Sequence, residues 1–241
     1  MRTAFSLLLV TLFTHAMAVG PCDHVKGAGN VERKPLSVQR FHGIVLEGSM
    51  DVVLTQGPEQ SVVVEAQPNI AALVTTEVRN GIWIISTEKG YSTDKAFTVR
   101  ITAPVIDHVQ LDGSGDVTSE GVFAVQRMDI GIAGSGNITL AFEATSTKAS
   151  IQGSGDMKLS GSSRDLTIAL EGSGDVNAKE LRALNAEVSI DGSGDITLYA
   201  AESLEASIAG SGDVNLLGRP GRISTQVMGS GEVRQAGGGP R

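Results

Sequence analysis

Cysteine is nearly missing from this 241-residue chain, histidine occurs four times, and aromatic residues make up 4%. The single thiol, Cys22, has no partner for an intrachain disulfide and cannot build a metal site alone. Two of the four histidines, His15 and His24, precede any fold-like pattern, which leaves His42 and His108 as bases for a nucleophile that would need one. So few aromatics exclude an extended sugar-stacking platform. Basic residues are also scarce, 19 against 27 acidic, for a formal net charge of −8. Nucleic acid, which wants a basic face, is therefore not an expected partner.

Long apolar runs are missing too. The run from Ala4 to Phe13 is too short to span a bilayer as a helix. With Arg2 ahead of it and Ala16-Met17-Ala18 behind, residues 1–18 read as a signal peptide. Cleavage before Val19 leaves 223 residues (241 − 18) and a charge of about −9 (18 basic, 27 acidic). The expected product is exported, periplasmic or extracellular, with no integral membrane segment after cleavage. Anchoring by a lipid on Cys22 is the lesser expectation, because Pro21 precedes it. Residues 19–35 read as a polar tail.

Glycine, by contrast, is abundant, with 30 residues, and much of it falls in one recurring phrase. The copies are Gly113-Ser114-Gly115-Asp116-Val117, Gly134-Ser135-Gly136-Asn137-Ile138, Gly153-Ser154-Gly155-Asp156-Met157, Gly172-Ser173-Gly174-Asp175-Val176, Gly192-Ser193-Gly194-Asp195-Ile196, Gly210-Ser211-Gly212-Asp213-Val214 and Gly229-Ser230-Gly231-Glu232-Val233. Their first glycines are 21, 19, 19, 20, 18 and 19 residues apart. A period near 20 marks a repeat architecture in which each unit buries its apolar face against its neighbours.

The flanks say which repeat it is. Two residues before the first glycine stand Leu111, Ile132, Ile151, Leu170, Ile190, Ile208 and Val227. Two residues further back stand Val109, Ile130, Ala149, Ile168, Val188, Ala206 and Thr225. Apolar residues also open each following stretch, from Val117 to Val233, while the intervening positions are polar or small. Alternation of this kind is a half-buried strand. Each repeat is therefore a strand, a Gly-Ser-Gly corner, a second strand and a return segment. Stacked about 4.8 Å apart, such units make a parallel β-helix (solenoid) of 18–21 residues per coil. Crossovers between parallel strands are right-handed in about 98% of cases, so a right-handed coil is expected.

Residues 36–110 are less regular. Gly48-Ser49-Met50-Asp51-Val52 repeats the phrase with one glycine lost, and reads as a degenerate first coil. Ser61 to Glu65 and Phe97 to Ile101 read as strands, with a break at Gln67-Pro68-Asn69. Asn80-Gly81, between Val78 and Ile82, is a two-residue hairpin signal. Hairpins here form an irregular cap over an otherwise open edge. At the far end, Thr225 and Gln235 take positions that are apolar in earlier coils, a polar terminal cap. The solenoid domain runs over 36–236, with its regular repeats in 111–236, and 237–241 is expected to be a flexible tail.

With its Phe41-His42-Gly43-Ile44 opening, the Gly48 variant and the seven later copies, the stretch 36–236 resembles the family called putative auto-transporter adhesin, head GIN domain. The resemblance implies an exported β-solenoid and an adhesin-like role, with no catalytic residue. The membrane barrel of many strands that an auto-transporter needs is not expected after Ala236.

Two repeating columns could carry chemistry. Asp116, Asn137, Asp156, Asp175, Asp195, Asp213 and Glu232 could form a cation ladder, since carboxylates suit calcium. The calcium-binding β-roll repeat, however, has a shorter period and a residue between glycine and aspartate. The favoured reading is structural. The corner is made by Gly113, Gly115 and Asp116, Gly153, Gly155 and Asp156, Gly172, Gly174 and Asp175, Gly192, Gly194 and Asp195, and Gly210, Gly212 and Asp213. In it the glycines allow positive φ and the carboxylates accept backbone N–H bonds. The serine column, Ser114 to Ser230, has no adjacent base and is expected to form a ladder of hydroxyls bonded along the stack. No metal and no cofactor are expected.

Because the corner keeps fixed strand positions on both sides, the variation in coil length must fall on the return segments. So do Phe123, Phe142 and Tyr199, the aromatics of the repeat region, together with Arg164, Lys179 and Arg182. Variable loops on one side of a solenoid are where binding evolves. These six residues are the candidate ligand-binding set, with the competing reading that the aromatics plug the core. The function expected is an exported, non-enzymatic binding or structural solenoid, adhesin-like, with a glycan or a surface protein as partner. The alternatives are a carbohydrate-active solenoid enzyme, a polysaccharide lyase or hydrolase, and a purely structural spacer.

Overall fold

The structure, a computed structural model, describes residues 24–236. The signal peptide, the cut before Val19, Cys22 and the 237–241 tail lie outside the described residues. Strands in stacked parallel coils form a β-solenoid of about 7 turns. The phrase sets the register. Gly113, Gly134, Gly153, Gly172, Gly192, Gly210 and Gly229 pair one above another through the stack, and Gly48 pairs with Gly113. Alternation then sends Leu111, Ile132, Ile151, Leu170, Ile190 and Ile208 into one buried column, and Val117, Ile138, Met157, Val176, Ile196 and Val214 into another. Burial of these columns is the main stabilising term, because a coil has no second layer of its own to pack on.

The first coils stack out of chain order. The strand Gly43–Gly48 lies between Ile82–Ile85 and His108–Gly113, parallel to both. After the corner, Asp51–Gln56 lies likewise between Thr98–Ala103 and Val117–Glu120. The coil read as first is therefore interior, and the later 82–103 coil lies outside it. This order also accounts for the lost glycine. Between Ile85 and Thr98 the outer chain leaves the corner, and Met50 occupies the buried space there.

The outer coil is closed by antiparallel strands. Ser61–Ala66 pairs antiparallel with Thr98–Ala103, and Glu32–Pro35 pairs antiparallel with Ser61–Ala66. Val78–Arg79 turns back on Ile82–Ile85 through Asn80 and Gly81, at φ 52° and 79°. Two successive positive φ values are what a tight hairpin of this length requires. The break at Gln67 opens a single helical turn, Pro68–Ala71, with proline where its missing N–H costs nothing. Residues 24–35 are not a free tail. His24–Lys26 pairs with Gly90–Ser92, and Glu32–Pro35 finishes the cap, because main-chain edges recruit even polar segments.

Candidate functional site

At the corner, three sets of hydrogen bonds tie each coil to the next. The serine N–H donates to a glycine carbonyl of the preceding coil, as Ser173 does to Gly153 at 2.9 Å. The N–H of the residue after the aspartate donates to the following coil's aspartate carbonyl, as Val176 does to Asp195 at 2.9 Å. Where the chain turns and no carbonyl is in reach, the aspartate side chain supplies the acceptor. Oδ1 of Asp51, Asp116, Asn137, Asp156, Asp175, Asp195 and Asp213 each accepts the N–H of the residue one coil on, at 2.8 to 3.2 Å. Asn137 fits because its amide oxygen does the same work, while its Nδ2 donates to Asp116. At the last step Arg234 spans Asp213 and Glu232 at 2.9 Å each. The hydrogen bond to Glu232, then the charge of Asp213, raises the pKa of Arg234.

The acidic column is thus occupied as a backbone acceptor. Among the described residues, no group of three or more His, Cys, Asp or Glu is placed to hold a metal ion. Melting temperatures in excess chelator and in millimolar calcium should therefore differ by less than about 2 °C. A native-state site at 100 times its dissociation constant would add about 2.7 kcal/mol, about 5 °C or more for a chain of this size. A rise of that size would make the column a cation site.

The serine column differs from expectation. Its hydroxyls are exposed, and no hydrogen bond joins one to the next among the described residues. The ladder is run by amides, which leaves the hydroxyls to water. In the first coil, Ser49 at the same corner position has its hydroxyl 3.0 Å from the Tyr91 hydroxyl. His42 has Asp107 at 2.7 Å and, among the described residues, no serine hydroxyl bonded to it.

The return edge absorbs the differences in coil length. Register shifts fall between Lys158 and Ser160, between Ala178 and Arg182, and between Ala183 and Asn185. The six candidate residues divide here. Phe123 and Phe142 pair in register and point inward, 1% and 0% exposed, so they belong to the core and cannot present rings to a partner. Arg164, Lys179 and Arg182 are exposed, and Tyr199 is half-buried, next to Arg182 in register.

Beside them runs a column that sequence reading missed. Arg127, Ser146, Asp165, Asn185, Ser203 and Arg222 pair successively, each seven residues before a corner glycine. Asn185 Nδ2 donates to Asp165 Oδ1 at 2.9 Å, and Ser203 Oγ donates to Asn185 Oδ1 at 2.8 Å. The Asp165 backbone is held from within. Ser163 Oγ donates to its carbonyl at 2.9 Å, so Thr147, 2.9 Å from Ser163 Oγ, is the donor of that buried hydroxyl pair. Around Asp165, Asn185, Ser203 and Arg222 lies an open cleft of about 500 Å³, with Glu187 and Glu205 on its wall. The column can both donate and accept hydrogen bonds at successive strand spacings. Counting back from each glycine would have found it, although its residue types vary.

A profile of the putative auto-transporter adhesin, head GIN domain family matches residues 40–220. The chain belongs to that family. Similar solved structures share the course of this head GIN chain. A putative adhesin from Bacteroides fragilis is 26% identical, with a TM-score of 0.84 over 88% of this chain and 100% of its own. A putative lipid binding protein from Parabacteroides distasonis is 25% identical, at 0.74 over 89% and 100%. A putative adhesin from the same species, 22% identical at 0.70 over 89% and 100%, shares the fold. No curated protein matches the sequence. Among the described residues of this head GIN chain, no helix is long and apolar enough to cross a membrane.

Proposed function

We propose that this chain is an exported, non-enzymatic binding protein whose variable edge engages a polyhydroxylated ligand, a surface glycan, in the cleft at Asp165, Asn185, Ser203 and Arg222. The observation that carries the reading is the hydrogen-bonded column itself. It sets carboxylate, amide, hydroxyl and guanidinium in a row at the surface, and sugar hydroxyls both donate and accept. Membership in an adhesin family supports a binding role. A similar solved structure bears a lipid-binding description, but an acyl chain would need an apolar chamber. The described clefts are open surface grooves, and this one sets Asp165, Asn185, Glu187 and Ser203 beside Leu166, Ala186, Leu204 and Ile223, without a closed chamber for such a chain. Arg182, Lys179 and Tyr199 lie further along the same edge, where they can extend the contact.

A glycan array probed with the exported chain, followed by calorimetry on the hits, tests this. Asp165→Ala with Asn185→Ala should weaken binding at least tenfold, about 1.4 kcal/mol, while the melting temperature falls only slightly, since Asp165 is exposed and Asn185 half-buried with water in reach. The triple variant Lys179→Ala, Arg182→Ala, Tyr199→Ala should also keep its fold and bind less tightly. An array without hits, or a hit whose affinity the double variant leaves intact, would refute the proposal. Release of reducing ends or unsaturated products from a bound polysaccharide would make the chain an enzyme instead.

A further inference from the structure

The two ends of the solenoid are not alike. At one end, antiparallel strands close the ladder. At the other, among the described residues, Arg222–Gly229 pairs only with Ile196–Gly210, and all eight of its residues are exposed. Three large apolar side chains stand open there, Ile223 at 46%, Val227 at 41% and Met228 at 59%. Ile223 and Val227 continue the buried columns of Leu204 and Ile208, so the core itself ends at this face. Thr225 and Gln235 make the cap only partly polar. The Gln235 amide turns to the Gly218 carbonyl at 3.1 Å and leaves the longer strand uncovered.

We infer that this open strand is a docking edge for a second copy of the same chain, pairing Arg222–Gly229 antiparallel with itself about a two-fold axis at Thr225. The fold contains a precedent for the geometry, since Ser61–Ala66 lies antiparallel on the edge of the same kind of parallel ladder. The sequence is self-complementary in this register and not in one shifted by a residue. With Thr225 opposite Thr225, Ile223 meets Val227 of the second copy, and Gln226 meets Ser224. Inward residues then face inward residues, and the two cores become continuous. A one-residue slip would set inward against outward positions.

Charge agrees with the antiparallel direction. With Thr225 opposite Thr225, Arg222 of one copy lies opposite Met228 of the other, and Arg219 lies just before the paired strand. Arg219 and Arg222 have no ion pair among the described residues. The antiparallel direction therefore keeps Arg219 and Arg222 of one copy away from those of the other, at opposite ends of the strand pair, while Glu232 and Asp213 stay with Arg234. Head-to-tail stacking is not available, because the other end of the solenoid is already covered by Ser61–Ala66 and Val78–Arg79. A two-fold contact closes on itself, so the assembly stops at a dimer. The strand shares Arg222, Ile223 and Ser224 with the cleft above, so the oligomeric state is read without ligand, where a failed ligand proposal leaves it untouched.

Sedimentation velocity of the exported chain, from low to high micromolar concentration, should show a reversible twofold rise in mass. Val227→Lys, which places a charge on the edge strand, should keep the chain monomeric throughout with its melting temperature nearly unchanged. Ile223→Lys serves the same purpose should Val227→Lys fail to fold. Thr225→Cys, in a Cys22→Ser background, should form a disulfide-linked dimer under mild oxidation. Directly opposed strand residues lie about 4.5–5.5 Å apart, within disulfide reach, whereas Glu120→Cys in the same background should stay monomeric. A chain monomeric at all concentrations, a dimer that both lysine variants leave intact, open-ended growth, or no cross-link at Thr225→Cys would each overturn the inference.

Discussion

Replacing Gly174 by valine should unfold the exported chain or leave it barely folded. The reason is not the one that a Gly-Ser-Gly corner suggests at first sight. The first glycine of the phrase, Gly172, has a positive φ of 130°, but Gly174 does not. What Gly174 lacks is room. A Cβ there would stand 2.0 Å from the Gly155 carbonyl oxygen and 3.0 Å from its carbon, both backbone atoms of the coil before. Neither can move without disturbing the amide and carboxylate bonds that join the two coils. The position lies in the middle of the stack, so the damage reaches neighbours on both sides. A loss of about 4 kcal/mol or more is expected, in the range reserved for backbone or core disruption, against a total of about 5–15 kcal/mol for a domain. Chemical denaturation monitored by far-UV circular dichroism measures it. Ser173→Ala, one residue away and exposed, should change stability by no more than about 0.5 kcal/mol. If Gly174→Val proves as stable as Ser173→Ala, the coils are not stacked this closely.

Phe142→Ala is the second large effect, and it decides what the aromatics of the return edge are for. The side chain is fully buried, paired in register with Phe123 on one side and Gly161 on the other. Removing it should cost about 3–5 kcal/mol through lost burial and the cavity left behind, a fall in melting temperature of at least about 6 °C for a chain of this length. Tyr199→Ala, on a half-buried ring of the same edge, should cost much less. Differential scanning calorimetry of the two variants separates the cases. A Phe142→Ala protein that melts normally but loses its ligand would return the ring to the binding surface.

The parts of this protein that were legible from the sequence are those that depend on contacts between equivalent positions. Once a strand repeats every 18 to 21 residues, identical neighbours stack. The register, the inward columns of Leu111 to Ile208 and the site of length variation then follow from alternation and from the invariant corner. The Asn80-Gly81 hairpin is legible for a similarly local reason, because few other dipeptides accept its backbone. Other features were settled only by the fold in three dimensions. The coil at Gly43–Gly48 is interior because the 82–103 coil pairs on its outer side, a choice between two equivalent edges that no local pattern encodes. Phe123 and Phe142 stand an even number of residues after Val117 and Ile138, so alternation alone turns them inward, and the fold shows that this phase holds as far as the return edge. Asp165, Asn185, Ser203 and Arg222 share a spacing of seven from their corner glycines, but only stacking shows which of them bond to one another. Their types differ from coil to coil, so the column exists as a hydrogen-bonded row only after the coils are laid on one another.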